Sequence, residues 1–405
     1  MKASAFLSVM VSLALLQPVG AADAPGANGG LPAFIKPGFR LTWIGGSSIV
    51  GGNHPVQDEN GPIEIDGRRY RLESNRPGGG MGYTQLNILH ADAKTVIADV
   101  NLFILTDVNQ KVCKFSGKTV VIGSPDALGD YWVNPAKLAQ MPDGRQDGDK
   151  YTRGRYNLDN REYKSISITH QGNDGYQSKT YDLASGVMLF GGTTDINLGL
   201  LLKNKDNGQL TQEEANKQFS HNQFVAVRET KIPWAAAPRS ELLSKGRRLD
   251  YTGGQSLMLP DAGGLPPLPP QAMSLSYEVS DILGGNCFSL KTLIRADLGP
   301  GIPPNEVRGE QVCGSAMLGG LYTPPDALRA IQPNTVLDED PITHRRITYI
   351  GQQGNMALML EQGRLDVLER WYDMGTGLLS ASRYTTEPAG NVGKTILEFR
   401  LTGQN

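Results

Sequence analysis

Apolar residues along this chain come in short bursts of strand length rather than with helical spacing. Thr95 to Thr106 reads TVIADVNLFILT, rich in β-branched residues that suit a pleated surface. Lys164 to Thr169 alternates Lys, Ser, Ile, Ser, Ile, Thr, and a period of two predicts one buried and one solvated strand face. Helical signals are few. Pro135 to Gln140 and Pro325 to Ile331 predict single short helices, since proline in a first turn gives up no intrahelical bond. Thr211-Gln-Glu-Glu214 fits a capping box and predicts a further helix start. Tyr181-Asp182-Leu-Ala-Ser-Gly186 and Tyr372-Asp373-Met-Gly-Thr-Gly377 predict hairpins, because the Asp can bond the amides of its own turn and the Gly can take a positive φ.

These hairpins belong to a longer repeat. Gly38-Phe-Arg40-Leu41-Thr-Trp43-Ile-Gly45-Gly46-Ser-Ser48 recurs as Gly246-Arg-Arg248-Leu249-Asp-Tyr251-Thr-Gly253-Gly254-Gln-Ser256. Asn87 to Asp92 pairs with Thr292 to Asp297, Tyr131 to Leu138 with Leu321 to Leu328, and Gln171-Gly172 with Gln362-Gly363. Blocks recurring in one order imply two copies of one domain of roughly 150 to 190 residues. The expected class is mainly β (α+β): two homologous antiparallel β-sheet or half-barrel domains, each with a short helix. The expected organisation is 1–22 signal peptide, 23–36 flexible segment, 37–200 first copy, 201–244 connector with a short helix, and 245–405 second copy. Leu259 to Pro270, with five prolines, falls inside the second copy and reads as a polyproline-like loop.

Charge narrows the partners. The 405 residues carry 39 Lys+Arg against 41 Asp+Glu, a net charge of −2, so no basic footprint for nucleic acid exists. The 49 Gly and 25 Pro are accounted for by turns used twice, such as Gly45-Gly46 with Gly253-Gly254 and Pro135 with Pro325. Met1-Lys2, an apolar run from Phe6 to Leu16 and small residues at Val19 to Ala22 read as a secretory signal, which places the product in the periplasm or outside the cell. No later stretch nears the roughly 18 apolar residues of a spanning helix, so no transmembrane segment is expected. In an oxidising compartment Cys287 and Cys313 form the simplest disulfide, worth on the order of 3 kcal/mol, and Cys113 stands alone.

Catalytic signatures are sparse. His54, His90, His170, His221 and His344 lack metal-ligand spacing, so neither a metal nor another cofactor is expected. No Gly-x-Ser-x-Gly elbow occurs. Ser116 to Thr119 and Gly390 to Thr395 mimic a phosphate loop but lack its first glycine and lead into strands. Lys203 to Glu214 has the Gly and Glu of a calcium loop, with lysines where carboxylates belong. Aromatics give the sharper signal: Trp43, Tyr83, Trp132, Phe190, Tyr251, Phe288 and Tyr322 sit in or beside strands and could line an apolar pocket, against plain core packing.

The Tyr-Asp-x-x-x-Gly hairpins, Tyr181 to Leu189 and Tyr372 to Leu379, together with the export signal, resemble the periplasmic lipoprotein-carrier superfamily. That resemblance implies exported antiparallel half-barrels that cradle lipid. The expected function is an exported non-enzymatic binding protein for an apolar or lipidic ligand or a cell-envelope partner. Two alternatives stand beside it. One is an extracytoplasmic hydrolase or isomerase in the first copy, with His54, His90, His170 and Asp147 as the residues to inspect, and the other is a structural or adhesive envelope module.

Overall fold

The computed structural model describes residues 31–50, 63–65, 68–70, 80–106, 111–114, 119–172, 175–195, 217–230, 232–258, 270–341, 344–363, 366–386 and 394–404. The signal sequence, His54, the capping box, the calcium-like loop, residues 259–269 and most of the two phosphate-loop mimics lie outside the described residues.

Among the described residues, two large antiparallel sheets dominate, beside the two-stranded pairs Ile63–Ile65 with Arg68–Tyr70 and Ala127–Leu128 with Trp132–Val133. In hydrogen-bonded order the first runs Gly144–Gln146, Asp149–Leu158, Arg161–Gln171, Gly175–Asp182, Met188–Asp195, Lys217–Glu229, Phe39–Val50, Gly80–Ala91, Val96–Thr106 and Lys111–Lys114, with Thr119–Gly123 also pairing Val96–Thr106. The second runs Thr335–Glu339, Arg346–Gln353, Met356–Gln362, Asp366–Asp373, Leu379–Thr386, Lys394–Gln404, Arg248–Met258, Gln271–Ile282, Cys287–Ala296 and Asn305–Gly314. The two orders correspond strand for strand, so the repeat read from sequence is a repeat of topology. Helices Pro135–Gln140 and Pro325–Ala330 begin at their prolines, and each buries one leucine, Leu138 or Leu328, under the apolar face of its sheet.

Two expectations need correction. Lys217–Glu229, assigned to the connector, is a strand of the first sheet, between Met188–Asp195 and Phe39–Val50. It is the counterpart of Lys394–Gln404 and is required because each sheet closes its order through that position. The block Asn87 to Asp92 ends the strand Gly80–Ala91, whereas Thr292 to Asp297 ends Cys287–Ala296, one strand further along the second sheet. That apparent match joined the ends of non-equivalent strands, so His90 has no counterpart in Arg295.

The repeated aromatics fasten equivalent elements in both lobes. Trp43 Nε1 donates to the Met188 carbonyl at 2.8 Å, and Tyr251 OH to the Leu379 carbonyl at 2.7 Å. Tyr181 OH reaches the Asp130 carbonyl at 3.0 Å, and Tyr372 OH the Gly320 carbonyl at 2.9 Å. Large aromatic bodies fill the core while one polar atom each satisfies a buried carbonyl. The hairpin turns repeat equally. Asp182 accepts from Ala184 and Ser185 amides, and Asp373 from Gly375 and Thr376 amides. Gly186 and Gly377 have φ of 77° and 73°, and a Cβ at either would run into the carbonyl of Val133 or Thr323.

Candidate functional site

The two lobes meet through an apolar half and a polar half. On the apolar half, Leu89 and Ile97 of the first sheet enter the second lobe's core beside Trp234, Leu243 and Cys287. The polar half arises from strand alternation. Leu41 and Trp43 point into the first core, which turns Arg40 and Thr42 to the opposite face of the sheet. Register then lays Arg228, Arg40, Asn87 and Asp99 in one row, and Thr42, Gln85 and Asn101 in the next. The second lobe covers this face.

Asp338 and Asp340, at the end of the second sheet's edge strand, are the clasp. Arg40 Nη2 lies 2.8 Å from Asp338 Oδ2 and its Nη1 3.1 Å from Asp340 Oδ2, while Nε donates to Asn87 Oδ1 at 2.6 Å. Arg228 Nη1 stands 2.7 Å from the other Asp338 oxygen, and Gln85 Nε2 donates to Asp340. Behind the clasp, Arg345 forks onto Asp366 at 2.9 to 3.1 Å and donates to Glu361 at 2.9 Å, and Arg370 Nη2 donates to Glu361 at 2.8 Å. Burial works against the charge on Arg40 and Arg345, but the adjacent carboxylates outweigh it and raise both guanidinium pKa values. Burial and the nearby Asp340 carboxylate likewise raise the pKa of Tyr83.

These groups surround a cavity of about 50 Å³, lined by Arg40, Gln85, Asn101, Asp338, Glu361 and Arg370 among others. It has room for a few waters. Arg370 is 6 % exposed, and among the described residues its Nη1 has no hydrogen-bond partner. Gly319, with φ of 74°, leaves the space that this guanidinium fills, because a Cβ there would strike it. A second concavity of about 530 Å³ lies on the outer face of the second sheet, lined by Arg248, Glu278, Lys291, Leu293, Arg308 and Glu310.

The aromatics expected at a ligand site separate into two groups. Trp43, Trp132, Tyr251, Phe288 and Tyr322 are buried in the cores and line neither of these two concavities. The duplication selected them for fastening strands. Tyr83 is half-buried beside the seam, and Phe190 stacks near Tyr156 on the first sheet, 6.5 Å between ring centroids. Sequence reading missed Arg40, Gln85, Asp338, Asp340, Arg345, Glu361 and Arg370 as a group. Only the recurrence of Arg in Gly-x-Arg-Leu signalled any of them.

The residues inspected for catalysis do not converge. His90 Nδ1 is 2.9 Å from Asn286 Oδ1 and Nε2 3.0 Å from Asp92, which itself caps a turn through the Lys94 and Thr95 amides. His170 Nδ1 pairs with Asp149 at 2.8 Å on the surface. Asp147 (φ 52°) and Gly148 (φ 91°) form the two-residue turn before Asp149–Leu158, with the positive angles a tight hairpin demands. Neither histidine lines the two concavities. Among the described residues, no three His, Cys, Asp or Glu groups could hold a metal.

Cys287 and Cys313 do not form the expected disulfide. Register places Cys287 opposite Gly314 and Cys313 opposite Phe288, so the two side chains leave opposite faces of the sheet. Cys287 faces the lobe junction near Leu89, and Cys313 the aromatic core of its own lobe.

No family model matches the chain, and no curated protein matches it significantly. Among solved structures, MucB in complex with MucA(peri) aligns over 89 % of each chain at 9 % identity with a TM-score of 0.19. The Trp-176-Ala mutant of transferrin binding protein B from Haemophilus parasuis Hp5 aligns over 91 % of this chain and 79 % of its own, at 8 % identity and a TM-score of 0.15. At such scores the likeness carries no argument about function. No helix among the described residues is long and apolar enough to cross a membrane.

Proposed function

We propose that this chain is an exported, non-enzymatic binding protein for a partner in the cell envelope, engaged along the polar seam between its lobes. The supporting observation is the clasp of Arg40 and Arg228 on Asp338 and Asp340, which closes over a polar cavity that Arg370 faces with an unused N–H. A permanent lobe junction is cheaper to build from apolar groups, since buried ion pairs recover little beyond their desolvation cost. Groups of this kind are satisfied equally well by water or by the polar groups of a partner. The apolar half, with Leu89 and Ile97, then acts as the fixed side. The charged lining of the seam favours a polar polypeptide partner over a lipid, and Trp43, Trp132, Tyr251 and Phe288 are buried in the cores away from it.

The test uses the full chain in envelope extract. A photo-crosslinking p-benzoylphenylalanine replaces Phe39 at the cavity wall or, as control, Tyr176 on the open surface. A discrete adduct at position 39 and none at 176 is expected, with no lipid in native mass spectra of the purified protein. Co-purified lipid with saturable uptake of a fatty-acid probe would sink the reading.

A further inference from the structure

A second surface, at the edge of the second sheet opposite Thr335–Glu339, has its own chemistry. Asn305–Gly314 ends the second sheet: it pairs with Cys287–Ala296 on one side and, among the described residues, has no hydrogen-bonded neighbour on the other. Residues 305 to 310 are all exposed, Val307 to 55 %. The free stretch is bounded at both ends. Pro303 and Pro304 precede it with no amide hydrogens to offer, and Val312 to Gly314 are buried. Such an edge presents unpaired N–H and C=O groups and takes up another strand unless something prevents it.

Edges are commonly guarded by like charges, which repel a copy of themselves. This one alternates. Glu306, Arg308 and Glu310 share one face, with Val307 and Gly309 on the other. Arg308 Nη2 lies 3.3 Å from Glu306 Oε2, and Glu306 also accepts from Arg295 at 2.8 Å. A two-fold axis perpendicular to the sheet preserves the faces of both copies, so it must pass through a residue, not between residues. An axis through Val307 sets Glu306 opposite Arg308 of the second copy twice, Asn305 opposite Gly309 twice, and Val307 on itself. An axis through Arg308 would instead face Glu306 with Glu310 and Arg308 with Arg308. An axis through Gly309 would draw in the buried Val312.

We propose that Asn305–Gly309 pairs with the same segment of a second copy, antiparallel about a two-fold axis through Val307, joining two ten-strand sheets into one. Cross-strand pairs of opposite charge and an apolar central pair both favour this register. The interface is isologous and closed, so assembly stops at a dimer. It also brings the two concavities of about 530 Å³ side by side, since each is walled by Arg308, Gly309 and Glu310.

The decisive measurement is sedimentation of the full chain with Cys113 replaced by Ser, across a concentration series. A reversible dimer is expected. Val307→Cys should form an intermolecular disulfide under mild oxidation, because Cys287 and Cys313 are buried and do not compete. Val336→Cys, on the opposite edge strand, should not. Arg308→Glu places glutamates opposite each other twice and should weaken the dimer roughly tenfold or more, and Glu306→Arg combined with Arg308→Glu should restore it. A chain monomeric at the highest concentration reached overturns the proposal. So does a dimer indifferent to Arg308→Glu, or one that cross-links through position 336 and not 307.

Discussion

Arg40 and Asp338 stand in different copies of the repeat and meet at 2.8 Å, whereas Arg248, which holds the place of Arg40 in the second copy, bonds the nearby Asp250 and the Ser276 hydroxyl of its own sheet, on the surface. One motif position thus serves two purposes. In the first lobe it is buried by the second, and in the second lobe it borders an open concavity.

That asymmetry gives the first prediction. Arg40→Leu removes the guanidinium shared by the Asp338 and Asp340 carboxylates, whose side chains are 3 % and 2 % exposed, leaves them to Arg228 and Gln85, and should cost about 3 kcal/mol. Arg248→Leu, at a side chain 51 % exposed, should change stability by less than about 0.5 kcal/mol. Denaturant unfolding of the two variants checks the contrast, and equal effects would contradict the clasp.

Hairpin glycines provide a test of the repeat itself. Gly186→Ala and Gly377→Ala each add a positive-φ penalty and a collision with a carbonyl, so each should destabilise its lobe by about 2 to 3 kcal/mol. Gly354→Ala has φ of 60° with nothing nearby and should cost only about 1 kcal/mol. Thermal unfolding of the three proteins ranks them.

Alkaline pH should loosen the second lobe. Burial pushes the phenols of Tyr277 and Tyr372 up to about 12, above the value near 10 they take when unfolded. Between those values the unfolded chain releases protons that the folded chain keeps, so stability falls as pH rises. The loss should be negligible below about pH 10 and approach roughly 1.4 kcal/mol per pH unit for each tyrosine above it. Tyr372→Phe should lose about 1 kcal/mol at neutral pH, with its bond to Gly320, and the deficit should shrink by pH 11. A stability profile flat from pH 9 to pH 12 would contradict this.

Thiol chemistry separates the structure from the sequence expectation. Burial and the neighbouring Cys313 push the Cys287 thiol up to about 12, leaving at pH 8 on the order of one thiolate in ten thousand. Iodoacetamide should leave Cys287 unmodified in the native protein and alkylate it after denaturation. A non-reducing peptide map should show no Cys287–Cys313 link, and a reductant should leave the unfolding midpoint unchanged.

The sequence by itself determined what is local or periodic. Strand alternation, proline-led helices and the Asp-to-Gly turn each depend on a few neighbouring residues, and the duplication displayed them twice, so β class, two lobes and both helices were legible. Copy boundaries were less so, because the strand Lys217–Glu229 is recognised as part of the first sheet only by the strands it joins. Tertiary structure alone decided which aromatics fill cores, which face of Gly-x-Arg-Leu is covered, and that Cys287 and Cys313 point apart. The seam was invisible for the same reason. Arg40 and Asp340 are 300 residues apart, and nothing in either neighbourhood encodes that the outer face of one copy is closed by the end of the other.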